Sequence, residues 1–253
     1  MNPKQGVAWI IGGGSGIGAA IARELAARGW RVAISGRRLD RLMQVAAEHQ
    51  SILPYPLNVT DTGAVTETLA RVVAELGRID LFIFGAAAWS PEKTSDYKFE
   101  AFEAVVDTNY LGFVRFIGPL VQQMKMQGSG QIAAIASVAG YFGLPRSAAY
   151  SSTKAGLITL LQTMRTELAP SNISVRMIAP GFVKSELTAR NDFPMPFLME
   201  TAQAGRRIVD GLTRSTRFEI AFPRRMVWPL KAIRMLPYPA FFWVMARLPR
   251  QQP

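Results

Sequence analysis

The 253-residue chain has no cysteine and a single histidine, His49. Without cysteine there is no disulfide framework, no thiolate nucleophile and no cysteine-ligated metal. One imidazole excludes a multi-histidine metal centre, so no metal is expected. A Ser-His-Asp hydrolase would rest wholly on His49, which reads instead as a solvent-facing helix end. Long apolar runs are also missing. Residues 235–246 are twelve uncharged positions interrupted by Pro237 and Pro239, whereas a spanning helix needs about 20. The apolar residues 7–11 are too few for a signal-peptide core, so a cytoplasmic body is expected. Charged residues are only 19% against 49% hydrophobic, the reverse of a disordered composition. Acids are scarce too, 18 against 29 Lys and Arg, for a net charge of +11. That imbalance is concentrated: residues 206–253 hold ten cations and only Asp210 and Glu219 as acids. An anionic partner is therefore to be sought at the C-terminal end.

Present throughout are short apolar runs alternating with amphipathic stretches. Strands are predicted at 7–11, 31–35, 52–56, 81–84, 131–136, 174–178 and 217–221. Helices are predicted at 17–28, 40–49, 62–76, within 99–126, and at 148–168. Apolar strands separated by helices imply a parallel sheet covered on both faces. The expected fold is α/β, one doubly wound domain over 1–222 with a mostly parallel sheet. Residues 182–205 show no period and read as a mobile loop, and 223–253 as a basic amphipathic appendage.

Gly12-Gly13-Gly14-Ser15-Gly16-Ile17-Gly18 joins the first strand to the first helix. Glycines let the backbone approach a pyrophosphate, which a helix N-terminus attracts. A glycine cluster alone is weak evidence, and the strand–turn–helix setting is what strengthens it. The second strand ends in Ser35-Gly36-Arg37-Arg38, with arginines where a carboxylate would bind a ribose 2′-hydroxyl. Cations oppose the dipole at a helix start, so Arg37 and Arg38 fit a 2′-phosphate. NADP(H) is favoured, and NAD(H) stays open.

Tyr150 and Lys154 lie four apart at a predicted helix start and so share a face. A neighbouring ammonium favours phenolate and would lower the tyrosine pKa. Ser137 ends a predicted strand, at the carboxyl edge where ligands bind in such sheets. These features together resemble the short-chain dehydrogenase/reductase family, of Rossmann type, from Val7 to about Ser185. Gly12-x-x-x-Gly16-Ile17-Gly18 is similar to its cofactor loop, with Gly14 and Ser15 inside it, and Asn109 to its helix asparagine. Ser137, Tyr150 and Lys154 fall at its catalytic spacing, and Pro180-Gly181-Phe182-Val183-Lys184-Ser185 is similar to its nicotinamide segment.

The resemblance implies hydride transfer between nicotinamide and a carbonyl or alcohol, with Tyr150 as acid or base. It implies that Lys154 lowers the tyrosine pKa and holds the nicotinamide ribose. Ser137 would bind the substrate oxygen, and Asn109 would support a water-linked proton path through Lys154. Pro180, Gly181, Val183 and Ser185 would border the nicotinamide, and Asn58 and Val59 the adenine. Gly85 and Ala86 belong to Phe84-Gly85-Ala86-Ala87, which stands where the family has Asn-Asn-Ala-Gly. Ile11 replaces its usual Thr and Asn58 its usual Asp. Because the segments of Ile11 and Phe84 adjoin in the family, a polar contact there has an apolar replacement.

The expectation is an NADP(H)-dependent oxidoreductase of a lipophilic ketone, aldehyde or alcohol. The alternatives are a 3-oxoacyl-carrier-protein reductase and a non-catalytic NADP-binding sensor. Family habit implies a homodimer or homotetramer, and no specific nucleic acid is expected. Phe193, Met195, Phe197, Leu198 and Met199 in the lid 182–205 fit ordinary packing or a substrate wall equally, as does Trp89. The tail mixes cations with Trp and Phe, which suits peripheral contact with an anionic membrane at its inner face. A subunit contact or a cover for the domain's own pocket are the other readings of it.

Overall fold

Strands β1 (Val7–Ile11), β4 (Leu81–Phe84) and β5 (Gly130–Ile135) are buried at every position. Such strands need cover on both faces of their sheet. The computed structural model describes residues 6–90, 93–96, 98–191 and 193–247, and it supplies that cover. With β2 (Arg31–Gly36), β3 (Ile52–Pro56), β6 (Ile173–Pro180) and β7 (Glu219–Phe222) these strands form one sheet. Its order is β3-β2-β1-β4-β5-β6-β7, parallel at every pairing. This is the doubly wound α/β fold expected from the alternating pattern. The order reverses between β1 and β4, which opens a crevice at the carboxyl ends of the strands.

Side chains alternate across the sheet and divide the core in two. Val7, Trp9 and Ile11 face α3 (Thr62–Leu76), α5 (Gly112–Met126) and α6 (Ala148–Glu167). Ala8 and Ile10 face α1 (Gly16–Ala27), α2 (Leu39–Ala46) and α7 (Thr201–Arg214). Trp9, Phe82 and Phe116 hold the first face together, with ring centroids 5.0 to 5.5 Å apart.

Three segments differ from their sequence reading. The long helix expected within 99–126 is divided by a π-turn, Asp107–Leu111, into α4 (Phe99–Val106) and α5. The wider turn leaves apolar periodicity nearly unchanged, so the pattern could not reveal it. Residues 182–205 were read as an aperiodic mobile loop, but α7 begins within them. Its buried face opens on Ala204 and Gly205, small because a Cβ on Gly205 would meet the Ala20 backbone at 2.9 Å. The loop itself is pinned at its base, where Lys184 N–H donates to Met199 O and Met199 N–H to Phe182 O, both at 3.0 Å. Finally, the segment after β7 is helical, as α8 (Arg224–Arg234) and α9 (Tyr238–Met245). Val227 of α8 is buried in the first core, so the domain's packing continues past residue 222.

Candidate active site

The crevice holds a cavity of about 280 Å³. One wall is the loop between β1 and α1. Gly12 adopts φ +83°, and a Cβ there would lie 2.8 Å from the backbone of Gly85. Only glycine allows both the conformation and the approach. Gly85 N–H in turn donates to Ile11 O at 2.8 Å, and Ile11 pairs with Phe84 in register. The two segments that depart from the family pattern do adjoin, and Ile11 and Phe84 are buried against each other's strands. Gly12 and Gly13 N–H groups donate to Ser35 O. The unpaired N–H groups of a helix's first turn lie where Ser15, Gly16, Ile17 and Gly18 line the cavity.

The other residues assigned to cofactor binding line the same cavity. They are Gly12 and Gly14, Arg37 and Arg38 after β2, Asn58 and Val59 after β3, Gly85 and Ala86 after β4, and Pro180, Gly181, Val183 and Ser185 after β6. Arg38 and Arg41 converge on one carboxylate, Glu186, at 2.8 and 3.7 Å. Asn58 turns its Oδ1 to the N–H of Thr60. His49 is exposed, with Nδ1 beside Ser51. Met199 is buried in the core, Phe193 meets Phe182 at 5.9 Å, and Phe197 and Leu198 are exposed. The lid's apolar residues are thus divided between packing and surface.

Ser137, Tyr150 and Lys154 converge at the opposite end of the cavity. Ser137 caps a short turn, its Oγ accepting from Ala139 N–H at 3.1 Å, and its hydroxyl bonds the Tyr150 oxygen. Lys154 Nζ lies 5.4 Å from the Tyr150 ring centroid and donates to Ile135 O at 2.7 Å. Among the described residues no carboxylate pairs with the buried Lys154, and that burial pulls its pKa down to about 7. Burial also pushes the Tyr150 hydroxyl up to about 12, against a smaller opposing effect of the Ser137 hydrogen bond. The two effects that act on the Tyr150 hydroxyl here are thus its burial and the Ser137 hydrogen bond, and burial is the larger.

Asn109 does not line the cavity. Its side chain, turned inward by the π-turn, accepts from Ala88 N–H at 2.6 Å and donates to Ala88 O at 2.9 Å and Thr153 Oγ1 at 3.3 Å. It fastens the segment after β4 to α6 beside Tyr150 and Lys154. Sequence reasoning missed Arg41, Thr108, Glu186 and Thr188 among the lining residues. Arg41 lies three positions beyond Arg38 on α2, and that spacing was a readable signal. Glu186 had none, being far from the arginines along the chain.

The residues present fit a dinucleotide. A glycine cradle that a Cβ would fill adjoins cations at one end, with a tyrosine, serine and lysine at the other. A parallel sheet with these features at its switch point defines a nicotinamide-dependent oxidoreductase. The family described as short chain dehydrogenase matches residues 6–193. The chain belongs to that family, whose enzymes bind NAD(P)(H) and act on CH–OH groups. An uncharacterized oxidoreductase of Myxococcus xanthus is 37% identical over 238 residues, 92% of this chain and 94% of that protein. The structure of a short-chain dehydrogenase from Streptomyces avermitilis superposes with TM-score 0.83 at 24% identity, covering 90% of this chain and 92% of that one. A 3-ketoacyl-(acyl-carrier-protein) reductase from Brucella melitensis, complexed with NADH, gives TM-score 0.80 at 21% identity, covering 87% and 96%. Among the described residues no helix is long and apolar enough to cross a membrane.

Proposed function

We propose that the protein is an NADP(H)-dependent reductase of a lipophilic ketone or aldehyde, or dehydrogenase of the matching alcohol. The observation that carries this is the hydrogen-bonded Ser137–Tyr150 pair with Lys154 beneath the tyrosine ring, at the end of a cavity that begins in the glycine loop. Gly14, Ser15, Gly16 and Ile17 would hold the pyrophosphate, and Arg37, Arg38 and Arg41 a 2′-phosphate. Asn58 and Val59 would border the adenine, and Pro180, Gly181, Val183 and Ser185 the nicotinamide. When bound, NADP(H) supplies or takes up the hydride. Ser137 holds the substrate oxygen, and Tyr150 gives that oxygen its proton in reduction or removes it in oxidation. Lys154, where it carries its proton, favours the phenolate that remains. Asn109 keeps α6 and the segment after β4 in register around them. The chain is taken to act as a homodimer or homotetramer, with its basic tail at an anionic membrane surface.

The test is NADPH oxidation against ketones graded by chain length, with rates expected to rise with length. Tyr150→Phe lowers turnover by about 10³-fold and leaves NADPH binding unchanged. Wild-type turnover in that variant would overturn the assignment.

A further inference from the structure

The catalytic reading leaves the tail unexplained. No acid follows Glu219, whereas Arg224, Arg225, Lys231, Arg234 and Arg247 do. Helix α8 is seated on the domain by Val227, with Met226 and Leu230 packed against the core and Lys231 paired to Glu219. Its outer side presents Trp228, 69% exposed, beside the exposed Arg224 and Arg225. Helix α9 carries no charge and leaves Tyr238, Phe242 and Trp243 at 77%, 62% and 59% exposure. Their partners are largely one another: Tyr238 stacks on Phe242 at 6.0 Å, and Phe241 meets Phe242 at 5.2 Å. Arg247 lies 3.7 Å above the Trp243 ring. Among the described residues no carboxylate pairs with Arg224, Arg225, Arg234 or Arg247. Exposed aromatics flanked by unneutralised cations suit the headgroup zone of an anionic bilayer. A two-fold contact through this face suits them poorly, because it would bring the same cations against their own copies with no carboxylate between them.

The tail also touches segments that flank the catalytic residues. Phe241 meets Phe142 edge-on at 5.5 Å, and Phe142 lies on the segment between Ser137 and Tyr150. Met226 covers Gly181, where a Cβ would stand 2.6 Å from the methionine sulfur, and Gly181 lines the cavity. Tyr141 donates to Glu219 at 2.6 Å, the carboxylate that Lys231 pairs with.

We infer that α8 and α9 form a docking face for an anionic lipid surface, and that this face borders the opening through which substrate enters. The substrate is then a carbonyl compound or alcohol dissolved in that surface, a conclusion that rests on the oxidoreductase reading. The test is sedimentation of the full chain with phosphatidylcholine vesicles, with and without phosphatidylglycerol. Binding is expected to the anionic vesicles alone. Combined Arg224→Gln, Arg225→Gln and Arg234→Gln should weaken it by about fivefold per charge, an effect that added salt reproduces in wild type. Phe242→Ser with Trp243→Ser should weaken it at every salt concentration. Both variants should keep the wild-type melting temperature and reduce a short soluble ketone normally. They should lose reduction of a long-chain ketone carried in the anionic vesicles. Failure of wild type to sediment, equal binding to neutral vesicles, or variants that bind like wild type would overturn the docking face. So would a fall in oligomeric state in the aromatic variant with lipid binding unchanged, which would make the face a subunit contact. Vesicle binding without NADPH oxidation on either ketone would overturn the oxidoreductase reading and leave the docking face standing.

Discussion

Lys154 sets the pH behaviour of the site. Unfolded, it keeps its proton up to its ordinary value of 10.5; folded, burial lowers that to about 7. The native state therefore binds fewer protons than the unfolded one between these values, and stability rises with pH across them. Tyr150 contributes nothing opposed below its own ordinary value of 10.0, since its hydroxyl stays protonated in both states. Lys154→Met should thus gain most in melting temperature below pH 7 and progressively less towards pH 10. A gain that does not vary with pH would mean the lysine keeps its charge when folded. A second expectation concerns Glu186, which lies 2.8 Å from Arg38 and 3.7 Å from Arg41. Under the NADP(H) proposal, a 2′-phosphate would compete with it for the same guanidinium groups. Both side chains are about half exposed, so the competition is that of a surface pair, on the order of 1 kcal/mol or less. Glu186→Gln should raise NADPH affinity up to about fivefold and leave NADH affinity alone. Fluorescence titration with both nucleotides checks it, and an equal gain for NADH would show that the effect is not on the phosphate.

Helix α1 depends on one missing side chain. A Cβ on Gly18 would stand 2.2 Å from Gly12 O, so the first turn can rest on the loop only with glycine there. Gly18→Ala must lift the helix or deform the loop, an overpacking that costs about 1–3 kcal/mol. Melting temperature and cofactor affinity should fall together, because the displaced backbone is the backbone that lines the cavity. A stable variant with intact NADPH binding would show that the loop yields freely. The π-turn is the complementary case, in which one extra residue in a helical turn aims a polar side chain inward. It takes Asn109 off the helix surface and sets it against Ala88 and Thr153. The asparagine is legible as a resemblance, but its aim is not, because apolar spacing on either side is compatible with an unbroken helix.

For the whole molecule, the expected limit at residue 222 and the observed packing make different predictions. Deleting residues 237–253 removes α9 and should leave folding and NADPH binding unchanged. Deleting 224–253 also removes Val227 from the core, worth about 1.5–3 kcal/mol, together with Met226, Leu230 and the Lys231–Glu219 pair. That deletion should lower the melting temperature sharply and disturb the cavity wall at Gly181. Thermal unfolding of both truncations separates the cases. Equal stability of the two would place the end of the domain at the sequence limit.

The sequence by itself determined the parallel α/β sheet, because strands buried on both faces must be apolar at every position, as 81–84 is. It also determined the glycine loop and the Tyr150–Lys154 face, since φ and helical spacing are local properties. Helix α3 was legible at both ends for the same reason, with Asp61 accepting from Ala64 N–H at its start and Gly77 closing it. Only the tertiary structure decided the rest. Burial, which no local pattern reports, set the direction of the Lys154 and Tyr150 pKa shifts. The meeting of Glu186 with Arg38 spans 148 positions and depends on two strand ends being brought to one edge. Close approach of α1 and α7 required glycine at 205, where α7 meets the Ala20 backbone, while Ile208, Val209 and Leu212 of the same helix are buried in the core. The tail's composition was visible from the start. Its division into a helix seated on the core through Val227, Met226 and Leu230 and one that leaves Tyr238, Phe242 and Trp243 exposed was set by long-range packing, which composition does not report.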